Sequence, residues 1–353
     1  MRQPLNRIGK PEIDLQTIKK ILIVRLRRIG DIVMTTPAIT ALKRGLPQAS
    51  IHYVVEESYR QLIEGNPNVD RAVVLSRGMS TKNFLRHIGQ IRKDKYDLVI
   101  DFHGGPRAFL ITLLSGARWR AGYRIKHKHL IYDIKLPREP MEGAAHSVEG
   151  HLNFVKALGI EVPSSPSLNL PEAKAQEKER IQKLWREEDL EGKKTIIFHI
   201  SAGNKFRDWG IDNLVELTSL ISDLPEVKPI LVGEHEDRGA AEEIIKKCAA
   251  QPVSFVGLLN LRELKNVISR SSLFVGPDSG PMHIAASTST PIVAYFGPTL
   301  PETFSPWQAE AHILEKEYEC RPCRQRQCIY QDFRCLRTIT PEEVFQACSS
   351  YLR

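Results

Sequence analysis

The 353-residue sequence contains no G-x-G-x-x-G, no G-x-x-x-x-G-K-[ST], no H-E-x-x-H and no D-x-D. The first three absences remove the usual support for a dinucleotide fold, a P-loop NTPase and a zinc protease. The fourth removes the carboxylate pair that commonly holds a metal on a nucleotide diphosphate. Aromatic residues make up only 7% of the chain, too few to interleave with its basic residues as a single-strand nucleic-acid platform requires. Long apolar runs are also missing. The stretch Phe109 to Leu114 falls far short of the roughly 20 residues that span a bilayer. Residues 1 to 20 carry Arg2, Arg7, Lys10, Glu12, Asp14 and Lys19 without an apolar h-region. The expectation is a cytoplasmic protein with no transmembrane helix.

What is present is a globular composition, 42% hydrophobic and 26% charged, on a chain long enough for two domains with a core in each. The formal charge of +8 is unevenly placed. Up to residue 170 there are 27 Lys and Arg against 15 Asp and Glu, and beyond it 23 against 27. The first half therefore points to an anionic partner.

Short apolar runs alternate with amphipathic stretches: KKILIVRL, SIHYVV, AVVL and YDLVIDFH, then KTIIFHI, KPILVG, SSLFVG and TPIVAYFG. This rhythm predicts parallel sheets with crossover helices. The Pro- and Ser-rich stretch GIEVPSSPSLNLPE (159–172), followed by the charged AKAQEKERIQKLWREEDLEGKK, reads as a linker and an exposed helix. The domains are placed at 1–170 and 171–353, as two doubly wound, Rossmann-like units without a repeat in sequence. Ligands of such sheets sit beyond the carboxyl ends of the strands, so two of them facing each other form a central cleft.

The motifs fall just after strands. In RLRRIGDIVMTTPAITALKR (25–44), Gly30 permits a tight turn and Asp31 enters the next helix. Capping explains an Asp there, and so does a base for an attacking hydroxyl, kept ionised by the helix dipole. In VGPDSGPMHIAAS, Asp278 and Ser279 supply caps, Gly280 lets backbone approach a ligand, and His283 lies in the first turn. Such a helix start can seat a phosphate. HISAGNKFRDWGIDN adds a cationic loop with Ser201, Gly203, Lys205 and Arg207, whereas Trp209 reads as packing. Glu234 follows a strand and a glycine, a position that accepts sugar or ribose hydroxyls. These features together indicate a cationic, metal-free diphosphate site.

In order along the chain, RIGDIVMTTPAITALK, NKFRDW, GEHED, and GPDSGPMHIAAS followed by TPIVAYFGPT resemble glycosyltransferase family 9, the heptosyltransferases of lipopolysaccharide inner-core assembly. The resemblance implies a GT-B architecture, with acceptor on the N-terminal domain and an ADP-sugar on the C-terminal one. It implies inverting transfer without a metal. Asp31 takes the place of the family's base. A family lysine falls on Arg207, so this chain departs from the pattern, with Lys205 close by; either cation would stabilise the departing diphosphate. Asp278, Ser279, Gly280 and His283 match the donor-binding turn, and Glu234 the donor-contacting carboxylate.

The implied acceptor is a phosphorylated, Kdo-bearing lipid A-type molecule. Arg118, Arg120, Arg124, Lys126 and Lys128 are candidates to contact it, with Arg25, Arg27 and Arg28 near the cleft. Attachment to an anionic membrane at the inner face of the inner membrane would follow from the same charge.

Cys320, Cys323, Cys328 and Cys335 crowd one basic segment. Four thiolates can close a structural zinc site, although the spacing is not the usual paired knuckle. Two further readings stay open: a GT-B enzyme using another nucleotide sugar, and a basic, zinc-containing nucleic-acid-binding protein. The second leaves Asp31, Glu234 and the Asp278 turn unexplained, so no nucleic-acid partner is expected.

Overall fold

The computed structural model describes residues 13–124, 129–136, 146–248 and 251–352. The chain divides into two compact units, Met1–Pro171 and Glu172–Arg353. In the first unit the strands are β1 (Lys20–Val24), β2 (Ser50–Glu56), β3 (Arg71–Leu75), β4 (Leu98–Asp101), β5 (Trp119–Tyr123) and β6 (Ile134–Leu136). In the second they are β7 (Lys194–His199), β8 (Val227–Val232), β9 (Val253–Ser254), β10 (Leu273–Pro277), β11 (Ile292–Phe296) and β12 (Ala311–Glu315).

The sheet orders are β3-β2-β1-β4-β5-β6 and β12-β11-β10-β7-β8-β9, and every pairing is parallel. Renumbered within its own unit, each sheet reads 3-2-1-4-5-6, the doubly wound Rossmann order. The fold is thus the pair of Rossmann-like domains expected of GT-B, and the duplication lives in topology rather than in sequence. Each sheet has one switch point, between β1 and β4 in the first and between β7 and β10 in the second.

Central strands are apolar on both faces because helices cover both. Ile21, Leu22, Ile23 and Val24 of β1, like Phe274 of β10, have no exposed surface. Helices supply the rest of each core. In the second unit, Leu214, Leu217 and Ile221 from Ile211–Ser222 pack with Ile196, Leu231 and Val275 of the sheet.

Four strands escape the sequence reading. β5, WRAGY, reads as part of a basic patch because its apolar surface is only half buried. β6, β9 and β12 are short or edge strands with equally weak patterns. Gly122 in β5 is required by a close approach: a Cβ there would meet the Tyr132 ring at 2.4 Å. The stretch read as a linker is pinned to the first unit. Asn66 Nδ2 donates to Asn169 O (2.7 Å), Asn169 N donates to Thr36 Oγ1 (3.0 Å), and Leu168 and Leu170 are buried.

Candidate active site

Chain direction in the first sheet brings the turn after β1 beside the turn after β4. Asp31 is the third residue of the short helix Ile29–Val33 rather than its N-cap, and its carboxylate accepts the Arg28 N–H at 3.2 Å. Arg25, the first residue past β1, turns its guanidinium onto it, with Nη2 2.6 Å from Asp31 Oδ2. The other arm, Nη1, donates to Phe102 O, just past β4. Arg25 is therefore braced across the switch point, 13% exposed, while Asp31 keeps 37% of its side chain open to solvent.

Burial alone would raise the Asp31 carboxyl, but the Arg25 charge and hydrogen bond, with the Arg28 N–H, hold it below its ordinary value. The carboxylate is ionised throughout the neutral range. Nearby Asp101 is held differently. Its carboxylate accepts the His103 and Gly104 N–H groups and the Tyr132 hydroxyl, each at 2.8 Å, and burial pushes it up. It shapes the β4 turn.

His151, from the helix Ser147–Ala157, packs on Phe102 with ring centroids 4.8 Å apart and hydrogen-bonds Tyr123 through Nδ1 at 2.9 Å. Burial, reinforced by the Arg25 charge, pushes its imidazole down to about 3. It is neutral, so Arg25 is the cation that sets the charge state of Asp31.

Among the described residues, the basic candidates lie at different edges of the first sheet. Arg118 precedes β5 and so lies at the amino edge of the sheet, opposite the strand-end turns; its N–H donates to Tyr96 O, which precedes β4. Arg120 lies within β5 and its N–H donates to Asp133. Arg124 is exposed at the carboxyl edge, where Arg27 and the exposed Arg28 also lie. Lys126 and Lys128 lie outside the described residues. Of the acceptor candidates, Arg118 lies at the sheet edge opposite Asp31, where strand direction places it.

In the second unit the turns after β7, β8, β10 and β11 share one sheet edge. Asp278, after β10, is 3% exposed. Arg207, after β7, donates through Nη1 to Asp278 O at 3.1 Å and lies 3.2 Å from Oδ2. The Thr299 hydroxyl, after β11, donates to the same Oδ2. Lys205 is instead exposed, its ammonium 5.5 Å from the centre of the Phe206 ring. Of the two cations, Arg207 is the one built into the turn.

Ser279 is the extended N-cap of the helix Gly280–Ala285, which holds His283 buried in its first turns. Its hydroxyl pairs with His199 Nδ1 at 3.1 Å, at the end of β7. Burial pushes His199 down to about 3. Ser201 donates to Asp237 Oδ2 at 2.8 Å, and the Glu234 N–H reaches the same oxygen at 2.7 Å. Asp237 thus ties the β7 and β8 turns together. Partial burial, then Asp237 and Glu236, raise the exposed Glu234 carboxyl. Gly203 adopts φ 60° at an exposed tip, a conformation that favours glycine. Trp209 is buried, its indole N–H on Ile339 O at 2.8 Å.

Three contributors carry little sequence signal, Asp237, His199 and Thr299, whereas Arg25, expected to meet the acceptor, is engaged with Asp31 instead. His199 ends β7, and Asp237 and Thr299 lie in the turns after β8 and β11, but only their three-dimensional partners reveal what they hold.

The two neutral histidines make stability depend on pH. His151 and His199 sit well below the ordinary 6.5 when folded, so the unfolded chain binds more protons. Their contribution is complete above about pH 6.5 and is lost as pH falls toward the folded values. Between pH 7 and 5 each should cost on the order of 2 kcal/mol. Urea midpoints at the two pH values should fall less in His151→Gln than in the parent. Equal falls would remove His151 from this role.

The structural zinc expected on Cys320, Cys323, Cys328 and Cys335 finds no support among the described residues. None of the four is in a disulfide, and among the described residues no group of three or more His, Cys, Asp or Glu is placed to hold a metal. Cys323 Sγ accepts the Gln325 N–H at 3.3 Å, and Cys335 is buried 3.5 Å from where a Cβ on Gly297 would lie. No helix among the described residues is long and apolar enough to cross a membrane.

The sequence pattern of glycosyltransferase family 9 (heptosyltransferase) matches residues 84–334, a span that includes the D-S-G turn after β10. The chain belongs to glycosyltransferase family 9. It is a glycosyltransferase. Lipopolysaccharide heptosyltransferase 3 of Escherichia coli K12 is 26% identical over 340 residues, covering 93% of this chain and 96% of that protein. Among solved structures, a family 9 glycosyl transferase from Veillonella parvula superposes with TM-score 0.86 at 23% identity, covering 98% and 99% of the two chains. E. coli ADP-heptose lps heptosyltransferase II superposes with TM-score 0.76 at 21% identity over 94% and 98%.

Proposed function

We propose that this family 9 enzyme transfers heptose from ADP-heptose to the inner core of lipopolysaccharide, inverting the anomeric centre and using no metal. The observation that carries the reading is Asp31, held ionised by Arg25 and open to solvent at the switch point of the first sheet. The names of its relatives, a lipopolysaccharide heptosyltransferase and an ADP-heptose enzyme, supply the sugar and the nucleotide.

In this mechanism Asp31 accepts the proton of the acceptor hydroxyl while its oxygen bonds to the anomeric carbon. The bond from that carbon to the diphosphate oxygen breaks on the opposite side, and its electron pair leaves with ADP. Arg207, with Lys205 nearby, neutralises the charge that develops on the diphosphate, work that elsewhere falls to a metal held by a carboxylate pair. Ser201, Gly203, Ser279, Gly280 and His283 line the donor's diphosphate, Asp278 holds Arg207, and Glu234 accepts sugar or ribose hydroxyls. Arg27, Arg28 and Arg124 meet the phosphorylated, Kdo-bearing acceptor, and the basic first unit rests on the anionic inner face of the inner membrane.

Calorimetric titration with ADP-heptose, ADP-glucose and UDP- and GDP-sugars in EDTA tests the donor assignment. Binding confined to the ADP-sugars is expected. Preference for a UDP- or GDP-sugar would replace the donor, and loss of binding in EDTA would overturn the metal-free site.

A further inference from the structure

The cysteine-rich segment has no part in the reaction so far described, yet it is built into the edge that carries the donor loops. The Cys323 N–H donates to Pro298 O at 2.8 Å, and Arg321 Nη2 donates to Thr299 O at 2.8 Å, so its first half grips the β11 turn. Phe333, in its second half, packs edge-on against Phe206 of the β7 loop with centroids 5.6 Å apart. Between these anchors lies Gln325. Its Oε1 accepts from Asn204 Nδ2 at 2.7 Å and from Arg207 Nε at 3.3 Å.

Arg207 is thereby held from two sides: the Asp278 carboxylate takes Nη1, and the Gln325 amide oxygen takes Nε. Both donors converge on one oxygen, which fixes which way the amide points. Gln325 also adopts φ 54°, the left-handed region that favours glycine. A glycine there would relieve the backbone but would leave Asn204 and Arg207 without their shared acceptor.

We propose that Gln325 is a positioning residue of the donor site, presenting the Arg207 guanidinium to the donor's diphosphate. The proposal rests on the donor reading of Arg207 given above. It makes the cysteine-rich segment a clamp that joins the β7 and β11 turns.

A double-mutant cycle read by ADP calorimetry separates the two claims. Arg207→Ala should weaken ADP binding by about tenfold or more, the loss expected of a charge-assisted contact. Gln325→Leu, of similar size but without an acceptor, should weaken it about fivefold, and Gln325→Glu, which keeps the acceptor, should restore binding to within about twofold of the parent. In the Arg207→Ala background Gln325→Leu should add almost nothing, because the group it positions is gone. A merely structural role would instead give the same loss in both backgrounds, and that result overturns the proposal. Equal losses in Gln325→Leu and Gln325→Glu overturn it too. If Arg207→Ala leaves ADP affinity unchanged, the donor reading itself fails, and the positioning role falls with it.

Discussion

Asp31→Asn should lower the turnover number by about a thousandfold while leaving ADP affinity within about twofold, the pattern of a lost general base. The substitution keeps size and shape. It removes the negative charge that Arg25 faces at 2.6 Å and the lone pair that would take the proton. Rapid-quench measurement of the transfer step at saturating donor and acceptor separates this from a binding defect. The same carboxylate sets the acid limb. Because Arg25 holds its pKa below the ordinary carboxylate value, it is ionised between pH 5 and 7 and contributes no limb there. A limb in that window that disappears in Asp31→Asn would contradict the assignment. A carboxylate held below its ordinary value is a weak base in the resting enzyme, which fits transfer in which proton removal keeps pace with bond formation and does not precede it.

Asp278→Asn should be the most damaging change in the second unit. The carboxylate is 3% exposed and serves both Arg207 and Thr299. Removing one partner of a buried ion pair typically costs about 3–5 kcal/mol. Because Arg207 remains partly exposed, water can solvate it in the variant, and the lower end of that range applies. A fall of about 3 kcal/mol in urea-unfolding stability is expected, together with at least tenfold weaker ADP binding as Arg207 loses one of its two anchors. If stability fell and ADP binding did not, Asp278 would be a packing residue, and the donor's diphosphate would lie away from this turn.

The elements legible in the sequence are those with strong physical signatures. β1, β4, β7, β10 and β11 are buried on both faces and read as unbroken apolar runs. The glycines, caps and charges that end them mark the strand-end turns. β5 and β12 carry polar residues on half-exposed surfaces, so their period is hidden, and closeness in sequence alone puts Arg118 and Arg120 with Arg124. A strand separates them, with its two ends at opposite edges of the sheet.

At the site, Asp31, Arg207 and Asp278 stand out because each follows a strand, but their partners do not. Arg25 lies six positions before Asp31 and reads as one more cation near an anionic ligand, although it is spent on the carboxylate itself. Gln325 lies 118 residues from Arg207, in a segment whose cysteines drew the reading toward zinc. No local pattern links a glutamine in an irregular loop to a guanidinium on another turn. Only the packing of the two turns makes the pair.

The most direct test of the account is transfer itself: purified protein with ADP-heptose and a lipopolysaccharide acceptor lacking the core heptose, in EDTA, followed by mass spectrometry of the lipid. The account predicts one added heptose residue, with release of ADP and no product from Asp31→Asn. Product formed equally well by Asp31→Asn, or none formed by the parent while ADP-heptose binds, would contradict it.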